Sequence, residues 1–177
     1  MNNLFKKYTL LLLIGMICTG LSAQELFFKK LDVENGLSQE DVSSIIQDSF
    51  GFIWIGTFDG LNRFDGRNIE TFHRQTANPA SLPDNRISAL AEDHKKRLWI
   101  GTQGGFFAYY SLLSERFIRV KSPEQRGHVL SFLVTTDQTL YALTAAGILR
   151  LDDSAEPEFK FISNAHNLHF RNAIQKT

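Results

Sequence analysis

The sequence predicts an all-β fold: a partial β-propeller of about three four-stranded antiparallel blades, with an orphan strand at each end. Three observations predict it. Trp-Ile-Gly-Thr is written twice, at 54–57 and at 99–102, and each copy is followed three residues on by a glycine, Gly60 and Gly105. Self-similarity at a period of roughly 20–50 residues is the signature of a repeat architecture. Within each period lie four short apolar runs separated by turn residues, which is the strand content of one propeller blade. The composition, 43% hydrophobic and 12% aromatic with 15 phenylalanines, is that of a globular chain built on rigid packing, and it suits strands.

The elements follow in chain order. Residues 1–23 place Lys6 and Lys7 before the apolar run YTLLLLIGMIC and small residues before Ala23, the order of a secretory signal peptide. Cleavage is the expectation and retention as an anchor the alternative, since the apolar core is short for a membrane span. Cys18, the single cysteine, lies inside this segment and lacks the small preceding residue that lipoprotein processing requires, so it is read as discarded. The mature chain, 24–177, is then free of disulfide and thiol chemistry. It loses Lys6 and Lys7 and no acid, leaving 17 basic against 19 acidic residues. A net charge of −2 offers nothing to a phosphate backbone, and no nucleic acid is expected as a partner.

ELFFKK, with Phe27 placed 45 residues before Phe72, reads as an orphan outermost strand. The first unit, about 37–81, supplies VSSIIQD, FIWIGT, LNRFD and IETFHR as its four strands. A shift of 45 generates the second unit, about 82–126: Trp54 falls on Trp99, Asp48 on Asp93, Phe64 on Tyr109 and Phe72 on Phe117. A further shift of 42 generates a weaker third, about 127–168, with Phe132, Tyr141, Thr144, Gly147, Leu151 and Phe159. Gly60, Gly105 and Gly147 hold one turn position that calls for positive φ. Gly51 becomes Lys96 and then Gln138, and Gly56 becomes Leu143. FRNAIQKT, within a truncated fourth unit at 169–177, reads as the first strand of another blade. Three blades fall short of the roughly 4–8 that close a ring, so the chain is read as the N-terminal piece of a longer protein. In that reading the outer face of blade 1 and the far face of blade 3 are uncovered, exposing Phe52, Trp54, Phe132 and Tyr141.

Residues 36–66, GLSQEDVSSIIQDSFGFIWIGTFDGLNRFDG, resemble the two-component regulator propeller repeat in the Gly36-Leu37-Ser38 opening, Asp48, Trp54 to Thr57, and Gly60 to Asp65. The resemblance covers roughly 26–162. It implies the periplasmic sensor region of a hybrid two-component histidine kinase, exported and held at the inner membrane. It implies a small-molecule or oligosaccharide ligand bound by the complete propeller, with the remaining blades of the parent as further partners. The parent receptor is expected to dimerise. A secreted propeller acting as an interaction scaffold is the alternative, because fold alone names no function.

Catalytic chemistry finds no foothold. There is no Gly-x-Ser-x-Gly elbow, and Glu92-Asp93 and Asp152-Asp153 are chain neighbours that point apart and read as solvated turn acids. His166 and His169 lack the companions of a metal site, so no metal or cofactor is expected. Trp54 and Trp99 recur in register and read as core, and Asp48 reads as the holder of its own turn, with Thr135 a weaker equivalent in the third unit. Blade topology brings the second-to-third strand turns and the loops after fourth strands to one face. That face collects 73–86, 57–60, 102–105 and 121–128, and its candidate ligand-binding residues are Phe58, Asp59, Asn85, Arg86 and Gln103.

Overall fold

The computed structural model describes residues 30–123 and 127–164. Among the described residues twelve strands form three antiparallel sheets in chain order. Blade 1 holds β1 (Val42–Gln47), β2 (Ile53–Thr57), β3 (Gly60–Phe64) and β4 (Ile69–Phe72). Blade 2 holds β5 (Ile87–Glu92), β6 (Arg97–Thr102), β7 (Phe107–Ser111) and β8 (Arg116–Val120). Blade 3 holds β9 (Val129–Val134), β10 (Leu140–Thr144), β11 (Gly147–Asp152) and β12 (Glu158–Asn164). The first strands β1, β5 and β9 lie side by side, so the blades radiate from their inner edges as in a propeller. The expected signal segment at 1–23, the expected orphan strand with Phe27, His166, His169 and FRNAIQKT lie outside the described residues.

Two apolar clusters fill the gaps between blades. Trp54, Leu61, Leu82, Ile87, Leu98, Ile100, Tyr110 and Phe117 join blades 1 and 2. Trp99, Phe107, Val129, Leu149 and Phe159 join blades 2 and 3. Both tryptophans are fully buried, Trp54 beside Tyr110 at 5.1 Å and Trp99 edge-on to Phe159 at 5.5 Å. The expected exposure of Trp54, Phe52 and Phe132 is therefore corrected: these rings turn into the inter-blade clusters, and Tyr141 alone of the four is directed away from blade 2. Blade 1 has cover as well. Ser38 donates its N–H to Asn62 Oδ1 at 2.9 Å and meets the Thr57 hydroxyl at 2.8 Å, while Leu37 is buried. Ile45 stays exposed on that side.

The joint between blades follows one plan. Ser43 and Ser88 sit in bulges of β1 and β5. Each donates its hydroxyl to a carbonyl of the next blade's first strand, Ser43 to Ile87 O at 2.8 Å and Ser88 to Val129 O at 2.6 Å. Gly56 and Gly101 face the same incoming residues, and a Cβ on them would stand 2.6 Å from Ile87 Cγ2 and 2.4 Å from Val129 Cγ1. These two glycines are demanded by close approach, not by φ.

The repeat register drifts inside blade 2. Gly60 and Gly147 close two-residue hairpins opposite Thr57 and Thr144, whereas Thr102 bonds Phe106 across a three-residue turn. Trp54 pairs with Arg63 and Trp99 with Tyr109, so the counterpart of Phe64 is Tyr110 and not Tyr109. The β7–β8 connection is two residues longer still, which places Val120, and not Phe117, at the position of Phe72. All three turn glycines have the expected positive φ, 132°, 74° and 141°.

Candidate ligand-binding face

The five candidate residues meet on one face because backbone bonds tie their turns together. Phe58 and Asp59 form the tip of the β2–β3 hairpin, shaped by Thr57 Oγ1 accepting from Asp59 N at 3.1 Å. Gly60 N donates to Asn85 O at 2.8 Å, and Asn85 Nδ2 donates to Asp59 Oδ1 at 3.3 Å. Gln103 N, in the β6–β7 turn, donates to Arg86 O at 2.9 Å. Phe58, Asp59, Asn85, Arg86 and Gln103 thus form a continuous ridge across blades 1 and 2. Phe58 is 41% exposed, and Arg86 extends into solvent with Asp84 at 3.8 Å.

The 73–86 loop behind this ridge is built, not slack. Ser81 and Leu82 are buried, and Ser81 Oγ donates to Asn78 O at 2.7 Å while accepting from Gln75 N at 2.9 Å. The Arg119 guanidinium reaches over from β8 to Ser81 O at 3.3 Å and Leu82 O at 3.2 Å. Asn85 Oδ1 accepts from Arg74 N at 2.6 Å, which makes Asn85 a brace for both flanks of the ridge. A cavity of about 220 Å³ opens beside the loop, lined among others by Thr71, His73, Gln75, Asn78 and Phe117. Amides and an imidazole are groups that hydrogen-bond a polar ligand. Reading the sequence missed His73, Gln75 and Asn78; the one signal for them was the Asn78-Pro79 and Pro83-Asp84 turn chemistry of an unusually long connection.

The opposite ends of the blades carry the aspartate turns. Asp48 Oδ1 accepts from Phe50 N and Phe52 N at 2.9 and 3.0 Å, and its Oδ2 accepts from Trp54 Nε1 at 2.7 Å. Asp93 repeats this with Lys95 N, Arg97 N and Trp99 Nε1, and adds Arg97 Nε at 2.6 Å. Thr135 holds the third turn through a bond to Thr139 O at 2.9 Å. The reading of the paired acids as solvated is corrected for Glu92, Asp93 and Asp153, while Asp152 is exposed. Asp93 is buried, Glu92 accepts from Ser49 N and Oγ, and Asp153 takes both guanidinium nitrogens of Arg97 at 2.7 and 2.9 Å. Hydrogen bonding from Arg97, and then from Lys95, holds the Asp153 carboxyl down at about 2. These groups border a cavity of about 510 Å³ together with Gln138, Arg150 and Lys160. Its acids are each paired with basic side chains, Asp93 with Arg97, Asp153 with Arg97 and Lys95, and Asp152 with Lys160.

The two component regulator propeller family model matches residues 36–59 and 81–104. The chain is 36% identical over 73 residues to "Histidine kinase P4" of Formosa agariphila, covering 40% of this chain and 5% of that protein. It superposes on a structure from B. thetaiotaomicron, described as the extracellular domain of a hybrid two component system, with a TM-score of 0.67 and 27% identity over 80% of this chain and 20% of that one. A second B. thetaiotaomicron structure, described as the extracellular domain of a one component system, matches with a TM-score of 0.62 and 21% identity over 82% of this chain and 22% of the other, and shares the fold. The chain therefore spans about a fifth of each of these two solved domains. No helix among the described residues is long and apolar enough to cross a membrane. Residues 36–59 and 81–104, the lead-in segment and inner hairpin of blades 1 and 2, are two-component regulator propeller repeats.

Proposed function

We propose that this chain contributes three blades to the exported, periplasmic sensor propeller of a two-component receptor, and that the complete propeller binds a saccharide. The observation that carries the reading is the 27% identity over 80% of the chain to an extracellular two-component domain, together with a face whose loops are braced by hydrogen bonds before any ligand arrives. Preorganised loops lower the ordering cost of binding, and exposed rings and amides suit sugar hydroxyls. The role is recognition, not catalysis, with signalling output supplied by other parts of a dimeric parent.

Isothermal titration of the receptor's extracellular domain against a panel of gluco-, xylo- and galacturono-oligosaccharides tests this, with autophosphorylation of the membrane-embedded receptor as the second readout. One oligosaccharide class is expected to bind and to change phosphorylation. Phe58→Ala, Arg86→Ala and Gln103→Ala should each weaken binding by about tenfold without lowering Tm. A panel that neither binds nor alters phosphorylation, or binding unmoved by all three substitutions, rejects the saccharide or the ridge respectively.

A further inference from the structure

The hairpin tip of blade 1, which carries Phe58 and Asp59, is fastened from outside its own hairpin. The chain approaches β1 through a short helical turn, Val33–Asn35, closed by reciprocal bonds: Asn35 N donates to Asp32 Oδ1 at 3.2 Å and Asp32 N to Asn35 Oδ1 at 3.3 Å. Leu37 then enters the core, and Ser38 meets two fully buried polar residues, Thr57 at the end of β2 and Asn62 on β3.

Counting protons leaves one arrangement for this contact. The Thr57 hydroxyl donates its single proton to Gly60 O at 3.1 Å and accepts from Asp59 N at 3.1 Å. The proton in the 2.8 Å contact between the Ser38 and Thr57 hydroxyls therefore comes from Ser38. Ser38 Oγ in turn accepts from Asn62 Nδ2 at 2.9 Å, and the same amide donates to Ile55 O at 3.0 Å, while Asn62 Oδ1 takes the Ser38 N–H at 2.9 Å. Every side-chain donor is used, and the series of bonds continues through Asp59 to Asn85 and from Asn85 to Arg74 N. Buried networks that are fully satisfied in this way are rigid.

Blades 2 and 3 supply the internal control. Thr102 and Thr144 bond only within their own tips, Thr102 to Phe106 and Thr144 to Gly147 and Ala146, and among the described residues no side chain from outside the hairpin reaches either hydroxyl. Pro83, which has no N–H to give, lies 45 residues after Ser38, and Ala108 lies opposite Ile100 as Asn62 lies opposite Ile55. Both ends of the contact are lost together in blade 2. The hairpins of blades 2 and 3 form without the extra bond, so in blade 1 it serves the position of the tip and not its existence.

We propose that residues 32–38 act as a clasp on the candidate ligand-binding face, with Ser38 a positioning residue that holds Phe58 and Asp59 in place through the Thr57 hydroxyl. The inference rests on the ridge in the proposed function and deepens it: the blade 1 part of the ridge is preset by the segment that leads into β1, whereas the blade 2 tip at Gln103 has no such clasp. A tip ordered in advance loses less freedom when a ligand engages it. Linkage then makes the effect mutual, so that a ligand seated on Phe58 and Asp59 tightens the clasp as much as the clasp tightens the ligand.

Ser38→Ala in the receptor's extracellular domain tests the clasp, since it removes the hydroxyl and keeps both the backbone bond to Asn62 and the buried Leu37. Hydrogen exchange of the unliganded domain is expected to quicken by about three- to tenfold at residues 57–61. Residues 102–106 and 144–147 and the rest of blade 1 should be unchanged, and Ser38→Thr, which keeps the hydroxyl, should restore the slow exchange. No acceleration, acceleration spread over the whole of blade 1, or no rescue by Ser38→Thr overturns the proposal. Calorimetric titration with cellohexaose, xylohexaose and hexagalacturonate supplies the second arm. A hexasaccharide that binds the unaltered domain should bind Ser38→Ala about three- to tenfold more weakly, and equal binding despite faster exchange overturns the proposal as well. Binding of none of the three rejects the saccharide alone, and exchange at 57–61 then decides the clasp.

Discussion

Three backbone positions, Gly51, Lys96 and Gln138, share one turn and one conformation, with φ of 94°, 59° and 69°. A side chain in the left-handed region is strained where glycine is not, so Lys96 and Gln138 hold their turns at a cost. Gln138→Gly is expected to raise stability by about 0.5–1 kcal/mol, the relief of strain exceeding the extra entropy of the unfolded chain. Urea denaturation checks the sign, and a loss of stability means that side-chain contacts of Gln138 outweigh its strain. Gly101 illustrates the opposite constraint. Its added methyl would meet the branched Val129 of a neighbouring blade, where neither partner can yield. Gly101→Ala should therefore cost about 1–3 kcal/mol in the same experiment.

At the scale of the hairpin, one carboxylate organises a turn and fixes the tryptophan six residues on. The two copies differ in what they leave behind when cut. Asp48 accepts from neutral donors only, so Asp48→Ala should cost about 1–3 kcal/mol. Asp93 also neutralises Arg97, which is nearly buried, so Asp93→Ala leaves an under-compensated cation and should cost about 3–5 kcal/mol. Thermal melts that rank the two substitutions the other way would show that Asp153 alone suffices for Arg97. The same network gives a pH signature. The carboxyl of Asp153, held at about 2 chiefly by Arg97, lies below its unfolded value of about 3.9. Its contribution is complete above the unfolded value and disappears as pH falls from about 4 towards 2. Asp153→Asn should flatten the acid limb of the stability curve in that window and lower stability at neutral pH.

For the whole molecule, the two faces at the ends of the blade row are unequal. Leu37 and Ser38 cover part of blade 1, while the far side of blade 3 presents Leu133, Leu143 and Ile162 to solvent. Exposed apolar sheet faces drive association. The purified chain is expected to self-associate in light scattering, and Leu143→Lys should reduce that association more than Ile45→Lys on blade 1. A monomer at every concentration would show that the far face needs no partner.

Much of this molecule is determined by its sequence alone. The twice-written Trp-Ile-Gly-Thr, the Asp48 and Asp93 turns and the glycines at 60, 105 and 147 act within single hairpins, where spacing dictates geometry, so strands, turns and blade count were legible without coordinates. The ridge of Phe58, Asp59, Asn85, Arg86 and Gln103 was also reachable, because blade topology alone sends those loops to one end. Tertiary structure decided what crosses between hairpins. The Ser43 and Ser88 bonds to the next blade, the brace of Arg119 on the 73–86 loop and the burial of Asp93 each join residues about 40 or more apart in sequence or depend on an adjoining sheet. Insertions shifted the blade 2 register for a related reason. A lengthened turn leaves the apolar pattern nearly intact, so periodicity places Phe117 on Phe72, and only strand pairing shows that Val120 takes that place. Periodicity reports which residues are apolar; the face each one covers is set by the neighbour that packs against it.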